Sequence, residues 1–241
     1  IDAARNLAAD IGTRYRLSGR SLDVLIDEAR KLFAGDNATM AARWMGEAVA
    51  LGDAADLWVE YARFIAAVPA SSESETRRNF AEGLAASLNG YLRADAPGLQ
   101  VTALAEAAQL LEKLNRGRDM ISLLRVAEEI APRHDTSVML DAAIAKYGFR
   151  VSDTRVEADG AEPRLCIEFS EELARTDVTY GDYLKSDVTG LATEANGREL
   201  CLSGLDHGQH LRLTLRRGLP AESGETLIKD VSLSQYIRDR S

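Results

Sequence analysis

The sequence predicts a protein of α-then-β class, with an all-α domain over residues 1–147 followed by an all-β domain over residues 148–241. Three observations predict it. Apolar residues recur at helical spacing before Tyr147-Gly148-Phe149, and alternate with polar ones after it. Examples of the alternation are Arg164-Leu165-Cys166-Ile167-Glu168-Phe169 and His210-Leu211-Arg212-Leu213-Thr214-Leu215-Arg216. The period never switches back, which excludes a doubly wound nucleotide-binding architecture. At 241 residues the chain is long enough for two cores.

In the first part, periodicity places helices over 3–16, 21–34, 38–51, 53–67, 75–93, 98–115, 118–131 and 135–146. Gly35-Asp36 and Gly52-Asp53 punctuate this run. Glycine takes the left-handed conformation that ends a helix, and aspartate accepts hydrogen bonds from the free N–H groups of the next. The second pair leaves almost no loop, so its two helices must fold back as an antiparallel hairpin. Leu57, Tyr61, Phe64 and Ile65 share one face there. Leu104, Leu111, Leu114 and Leu123, Val126, Ile130 repeat the design around Gly117, with Pro132 closing the second helix.

In the second part, strands are expected over 149–157, 163–169, 183–188, 198–203, 209–217 and 225–239, the last as two strands. Turns fall at Asp159-Gly160, Asn196-Gly197, His207-Gly208, Pro220 and Ser223-Gly224, pairs that tolerate the positive φ of tight hairpins. Six or seven short strands in this length are the pattern of an immunoglobulin-like β-sandwich. Cys166 and Cys201 sit at strand centres, out of phase with Leu165, Ile167, Phe169 and with Leu200, Leu202, so both sulfurs point away from the core. Buried free thiols belong on the apolar face. A cross-strand disulfide, which requires an oxidising compartment, accounts for this phase better than two free thiols, and the latter stays open.

Composition narrows the function. Hydrophobic content of 46% and charged content of 28% describe an ordinary globular chain rather than a disordered one. The net charge of −9 is shared, residues 1–147 holding 17 basic and 21 acidic side chains and residues 148–241 holding 12 and 17. Neither part has a basic face able to neutralise many phosphates, which argues against a nucleic-acid partner. No apolar run is long enough to span a bilayer. The start at Ile1 is read as that of a processed or excised segment whose targeting sequence is missing.

No catalytic signature emerges: there is no G-x-S-x-G elbow, no H-E-x-x-H and no glycine-rich phosphate loop. Asp206, His207 and His210 lack a third confident ligand and read as a hairpin turn, so no metal and no cofactor are expected. His134 is placed in an interhelical turn at a helix C-terminus. Glu171, Glu172 and Asp177 fit no calcium loop. Trp44, Trp58 and Tyr61 read as core rather than as the lining of a peptide groove, and Arg212, Arg216 and Arg217 as a solvated sheet face.

The helical part resembles tetratricopeptide-like repeats. The stretch Ala107-Ala108-Gln109-Leu110-Leu111, Gly117-Arg118 and Ala127-Glu128-Glu129-Ile130-Ala131-Pro132 carries small residues where helices approach closely and a terminal proline. No strict period holds, so the expectation is a helical-repeat solenoid offering a concave surface to another protein. A spacer carrying no ligand is the alternative.

Residues 148–241 are similar to a module of the large bacterial alpha-2-macroglobulin family. Gly148-Phe149-Arg150-Val151, Pro163 through Glu171, Leu200 through Gly208 and Leu215-Arg216-Arg217-Gly218-Leu219-Pro220 carry the resemblance. Gly224-Glu225 and Ile237-Arg238-Asp239-Arg240-Ser241 complete it. Upstream, Gly52 through Trp58 and Leu88-Asn89-Gly90-Tyr91-Leu92-Arg93-Ala94 look like the family's helical N-terminal region. The resemblance implies a periplasmic protease trap of serial macroglobulin-like sandwiches, with a bait segment and an internal thioester. The thioester requires Cys-x-Glu-Gln, and Cys166-Ile167-Glu168-Phe169 has no glutamine to supply the acyl group. The implied role is therefore a non-catalytic N-terminal scaffold, meeting target proteases only through the full-length protein. The competing expectation is an envelope adaptor whose helical groove binds a protein partner.

Overall fold

The computed structural model describes residues 1–160 and 162–239. The chain divides into two compact units, Ile1–Tyr147 and Gly148–Ser241. Among the described residues there are eight α-helices followed by two antiparallel sheets. Arg240-Ser241, the close of the macroglobulin resemblance, lies outside the described residues.

The helices are α1 (Asp2–Arg14), α2 (Leu22–Ala34), α3 (Ala38–Gly52), α4 (Ala55–Ala66), α5 (Glu73–Arg93), α6 (Pro97–Lys113), α7 (Gly117–Ile130) and α8 (His134–Tyr147). Local chemistry sets several of their starts. Asn37 accepts the Met40 N–H at 3.2 Å to open α3, Ser72 accepts the Glu75 N–H at 3.2 Å to open α5, and Pro97 occupies the first turn of α6. From α2 onward each helix packs on its successor, and α1 lies against α3 and α5. Asn89 on α5 donates to the Ala4 carbonyl at 2.7 Å, fixing α1 in place. One core cluster gathers Leu7, Leu25, Met45, Trp58, Tyr61 and Phe64 from α1 to α4, and a second gathers Leu111, Met120, Ile121 and Leu124 from α6 and α7.

At both Gly-Asp pairs the aspartate, not the glycine, takes the left-handed conformation, with φ of 59° at Asp36 and 44° at Asp53. Aspartate tolerates that region because its short side chain bonds locally. Asp53 does not cap α4; its carboxylate instead accepts from Trp58 Nε1 at 2.8 Å and Arg93 Nε at 2.7 Å. At Gly52 space is tight, since a Cβ there would sit 3.0 Å from a methyl of Leu57 and 3.1 Å from one of Leu22.

The second unit contains β1 (Val151–Glu157), β2 (Arg164–Phe169), β3 (Leu184–Ser186), β4 (Ala192–Asn196), β5 (Glu199–Ser203), β6 (His210–Leu215) and β7 (Val231–Tyr236). They form a four-stranded sheet ordered β1-β2-β5-β4 and a three-stranded sheet ordered β3-β6-β7, all pairings antiparallel. Both sheets feed one core. Leu165, Ile167 and Phe169 of β2, Leu200 and Leu202 of β5, and Leu211, Leu213 and Leu215 of β6 belong to a single buried cluster. The expected pair of strands over 225–239 is one strand, β7, preceded by an isolated bridge between Pro220 and Thr226.

Candidate functional site

Cys166 and Cys201 lie directly opposite each other in the β2–β5 register and form a disulfide with Cα atoms 4.0 Å apart. The Phe169 N–H bonds the Arg198 carbonyl at 2.8 Å, so residues 165, 167 and 169 exchange the ladder hydrogen bonds. The cysteine pair therefore occupies a non-hydrogen-bonded position, where backbones come closest and side chains meet across the strands. It faces away from Leu165, Ile167, Leu200 and Leu202, which fill the core.

Charged residues surround the bridge on that outer face. Arg155 stands beside Cys166 on β1 and Glu194 beside Cys201 on β4. Arg155 contacts Glu157 at 3.0 Å and Glu199 at 3.3 Å, while Arg164 contacts Glu157 at 2.7 Å. The Arg164 hydrogen bond is the main cause that holds the Glu157 carboxyl below the usual carboxylate range. The aliphatic stems of such side chains cover apolar surface, and Cys166 is buried although it is not part of the cluster shared by the two sheets. With its sulfur bonded, Cys166 offers no thiolate, and Phe169 is a core side chain stacked 5.2 Å from Phe149.

The histidines are engaged structurally. Both ring nitrogens of His207 reach backbone carbonyls, Arg238 at 3.0 Å and Gly160 at 3.2 Å. His210 packs on Tyr236 with ring centroids 4.8 Å apart. His134 opens α8, so the helix end it occupies is an N-terminus and not the C-terminus the sequence suggested. The displacement arises because Ala131-Pro132-Arg133 alone separate α7 from α8. Glu172 pairs with Arg175 at 2.7 Å and Glu171 accepts from Ser223 at 2.7 Å. Among the described residues, no group of three or more His, Cys, Asp or Glu side chains is placed to hold a metal ion, and no helix is long and apolar enough to cross a membrane.

Trp58 and Tyr61 are fully buried. Tyr61 shares a hydrogen bond of 2.8 Å with Tyr15, and burial pushes its hydroxyl far above the usual phenol range. Trp44 is half-buried under the Arg20 guanidinium, 4.4 Å from its ring. The aromatics thus build the core and its rim. A groove does exist, elsewhere: a hollow of about 620 Å³ lined by Leu84 and Leu88 of α5, Leu111 of α6, Leu114 after it, and Leu123 and Val126 of α7. Arg77, Arg116 and Asp119 stand at its edge, and Arg116 pairs with Asp119 at 2.6 Å. Sequence spacing marked Leu111, Leu114, Leu123 and Val126 as apolar, but not which of them face a hollow.

Comparison of the chain with protein-family profiles, curated proteins and solved structures returns no match.

Proposed function

We propose that this chain is a non-catalytic scaffold segment of a bacterial alpha-2-macroglobulin-type protease trap, working in the periplasm or cell envelope. In this reading the first unit is a tetratricopeptide-like array of helical hairpins, and the second an immunoglobulin-like sandwich of macroglobulin type. The strand order carries it: β1-β2-β5-β4 on one sheet and β3-β6-β7 on the other is the order of a seven-stranded immunoglobulin constant-type domain. Its disulfide joins two strands of one sheet, whereas antibody domains link the two sheets. A strand-to-strand staple stiffens one layer of a module and needs an oxidising compartment. The bait segment and the reactive thioester belong to other parts of the parent protein, and the proteases are met there.

The test uses the intact parent mixed with an endopeptidase. Cleavage should change the parent's shape and retain the protease, read as co-migration on a sizing column; a protease that elutes free of a cleaved parent defeats the proposal. A thiol titration of this chain, purified from the envelope and denatured without reduction, checks the compartment, with neither Cys166 nor Cys201 expected to react.

The apolar hollow on α5–α7 favours a second reading, an envelope adaptor that holds a protein partner in the helical groove. Retention of a defined envelope partner by the chain, lost in Leu123→Glu, would support it. Retention unaffected by that change would oppose it.

A further inference from the structure

Strand β7 is an edge that carries none of the usual defences. Edge strands invite pairing with other chains, and proteins blunt them with charges, prolines, bulges or short length. The other three edges follow that rule. β1 has a register shift between Val151 and Asp153 and the charged pair Arg155 and Glu157. β3 is three residues long and bears Lys185, and β4 bears Glu194. By contrast β7 reads Val-Ser-Leu-Ser-Gln-Tyr over six residues, with no charge, no proline and an unbroken register.

The direction of its backbone groups follows from one hydrogen bond. Ile237 N–H reaches the Gln209 carbonyl at 2.9 Å. The antiparallel alternation then turns the N–H and C=O groups of Val231, Leu233 and Gln235 toward β6, and those of Ser232, Ser234 and Tyr236 outward. All three outward residues are exposed.

We propose that β7 pairs with β7 of a second copy of this chain, antiparallel and centred on Ser234. The sequence of the edge is what selects a second copy. In this register Ser234 faces its own symmetry mate and Ser232 faces Tyr236 of the other copy, so every outward backbone group finds a partner. About six interchain hydrogen bonds form, two for each of three residue pairs. The side chains meeting on the outer face are two serines at the twofold axis and a serine beside a tyrosine on either side, with no charge brought against a like charge. The two three-stranded sheets become one six-stranded sheet, an isologous contact that closes at two copies. The inference is independent of the protease-trap reading, because it rests on the edge of one sheet.

Sedimentation equilibrium of the full chain between about 10 µM and 1 mM covers the range expected for a small interface of this kind. The apparent mass should rise toward twice the chain mass. Ser234→Lys and Ser234→Glu each place like charges opposite one another at the axis and should weaken dimerisation by up to about fivefold. Ser234 lies opposite Arg212 of β6, so the lysine variant should melt slightly below the glutamate variant, and a cooperative transition in both shows that folding is intact. Mixing the two variants puts lysine opposite glutamate and should restore the dimer. A chain that stays monomeric at the highest concentration, variants that dimerise as well as the parent, or a mixture that gains nothing would each overturn the proposal.

Discussion

At the scale of single residues, two contacts show how little freedom the folds leave. Replacing Cys166 and Cys201 with serine removes a cross-link spanning 35 residues of sequence. In the chain-entropy view a loop of that size is worth about 3–4 kcal/mol, because its closure no longer restricts the unfolded chain. Urea unfolding of the double variant, followed by near-ultraviolet circular dichroism, should show a transition of the β unit weakened by that amount. Gly117 is constrained by space rather than by its backbone angle. A Cβ there would lie 2.2 Å from Cγ of Tyr147, whose hydroxyl donates to Glu112 at 2.9 Å and whose ring lies under Lys146 at 4.9 Å. The ring is held at two points and cannot swing aside without breaking one. Gly117→Ala is therefore expected to cost the helical unit about 1–3 kcal/mol, the usual penalty of overpacking, measurable as a lower thermal midpoint. The phase of the cysteines was legible because alternation along β2 and β5 fixes which face each sulfur takes. The packing of Gly117 on Tyr147 was not, since 29 intervening residues hide which turn of α8 meets α7.

At the scale of elements, helix positions were legible to within a few residues because amphipathic spacing and capping residues agree. The start of α5 illustrates the agreement. Ser72 accepts the Glu75 N–H at 3.2 Å, and the Glu75 carboxylate reaches back to the N–H of Ser71 at 2.8 Å. The first is an orphan donor of the helix and the second the N–H just before the cap, a variant of the capping box, and the Ser71 hydrogen bonds lower the Glu75 pKa. Ser72→Ala should cost about 1 kcal/mol, and hydrogen exchange should show the first turn of α5 opening more often while α6 is unchanged. Strands were read less completely. β4, Ala192-Thr193-Glu194-Ala195-Asn196, has no alternating apolar residues, since it is a sheet edge that buries almost nothing. Only its pairing with β5, and Gly197 with φ of 58° in the loop between them, makes it a strand. The groove on α5–α7 escaped for the opposite reason. Its leucines carry the same helical spacing as core leucines, and periodicity records a face, not what that face meets.

At the scale of the whole molecule, acid stability distinguishes the two units by the kind of bond that holds their carboxylates. In the helical unit Glu128 is kept below its usual range mainly by the Thr136 hydroxyl and then by that of Ser137, at 2.8 Å. Glu112 is kept low mainly by Lys146, then by the Tyr147 hydroxyl. In the β unit Glu157 is kept low mainly by Arg164, with Arg155 adding to it. All three have folded pKa values depressed from an ordinary 4.5. A depressed carboxylate binds protons more weakly in the folded state than in the unfolded one, so its contribution is present above the unfolded value and is lost as pH falls through the folded one. Thermal midpoints should hold steady from pH 7 down to about 5 and then fall for both units. Salt should separate them. At about 1 M salt, where the Debye length is about 3 Å, exposed arginine–carboxylate pairs weaken, while hydrogen bonds from neutral hydroxyls do not depend on screening. The acid-induced loss in the β unit should therefore shrink in high salt, whereas the helical unit should retain the share that Glu128 supplies. Glu128→Gln removes that share and should make the helical unit's acid response more salt-sensitive, leaving Glu75, held by the neutral Ser71 donors, as a salt-insensitive remainder. Equal salt dependence of the two units before the substitution would show that charge pairs, rather than the Thr136 and Ser137 hydroxyls, govern the acid response of the helical unit.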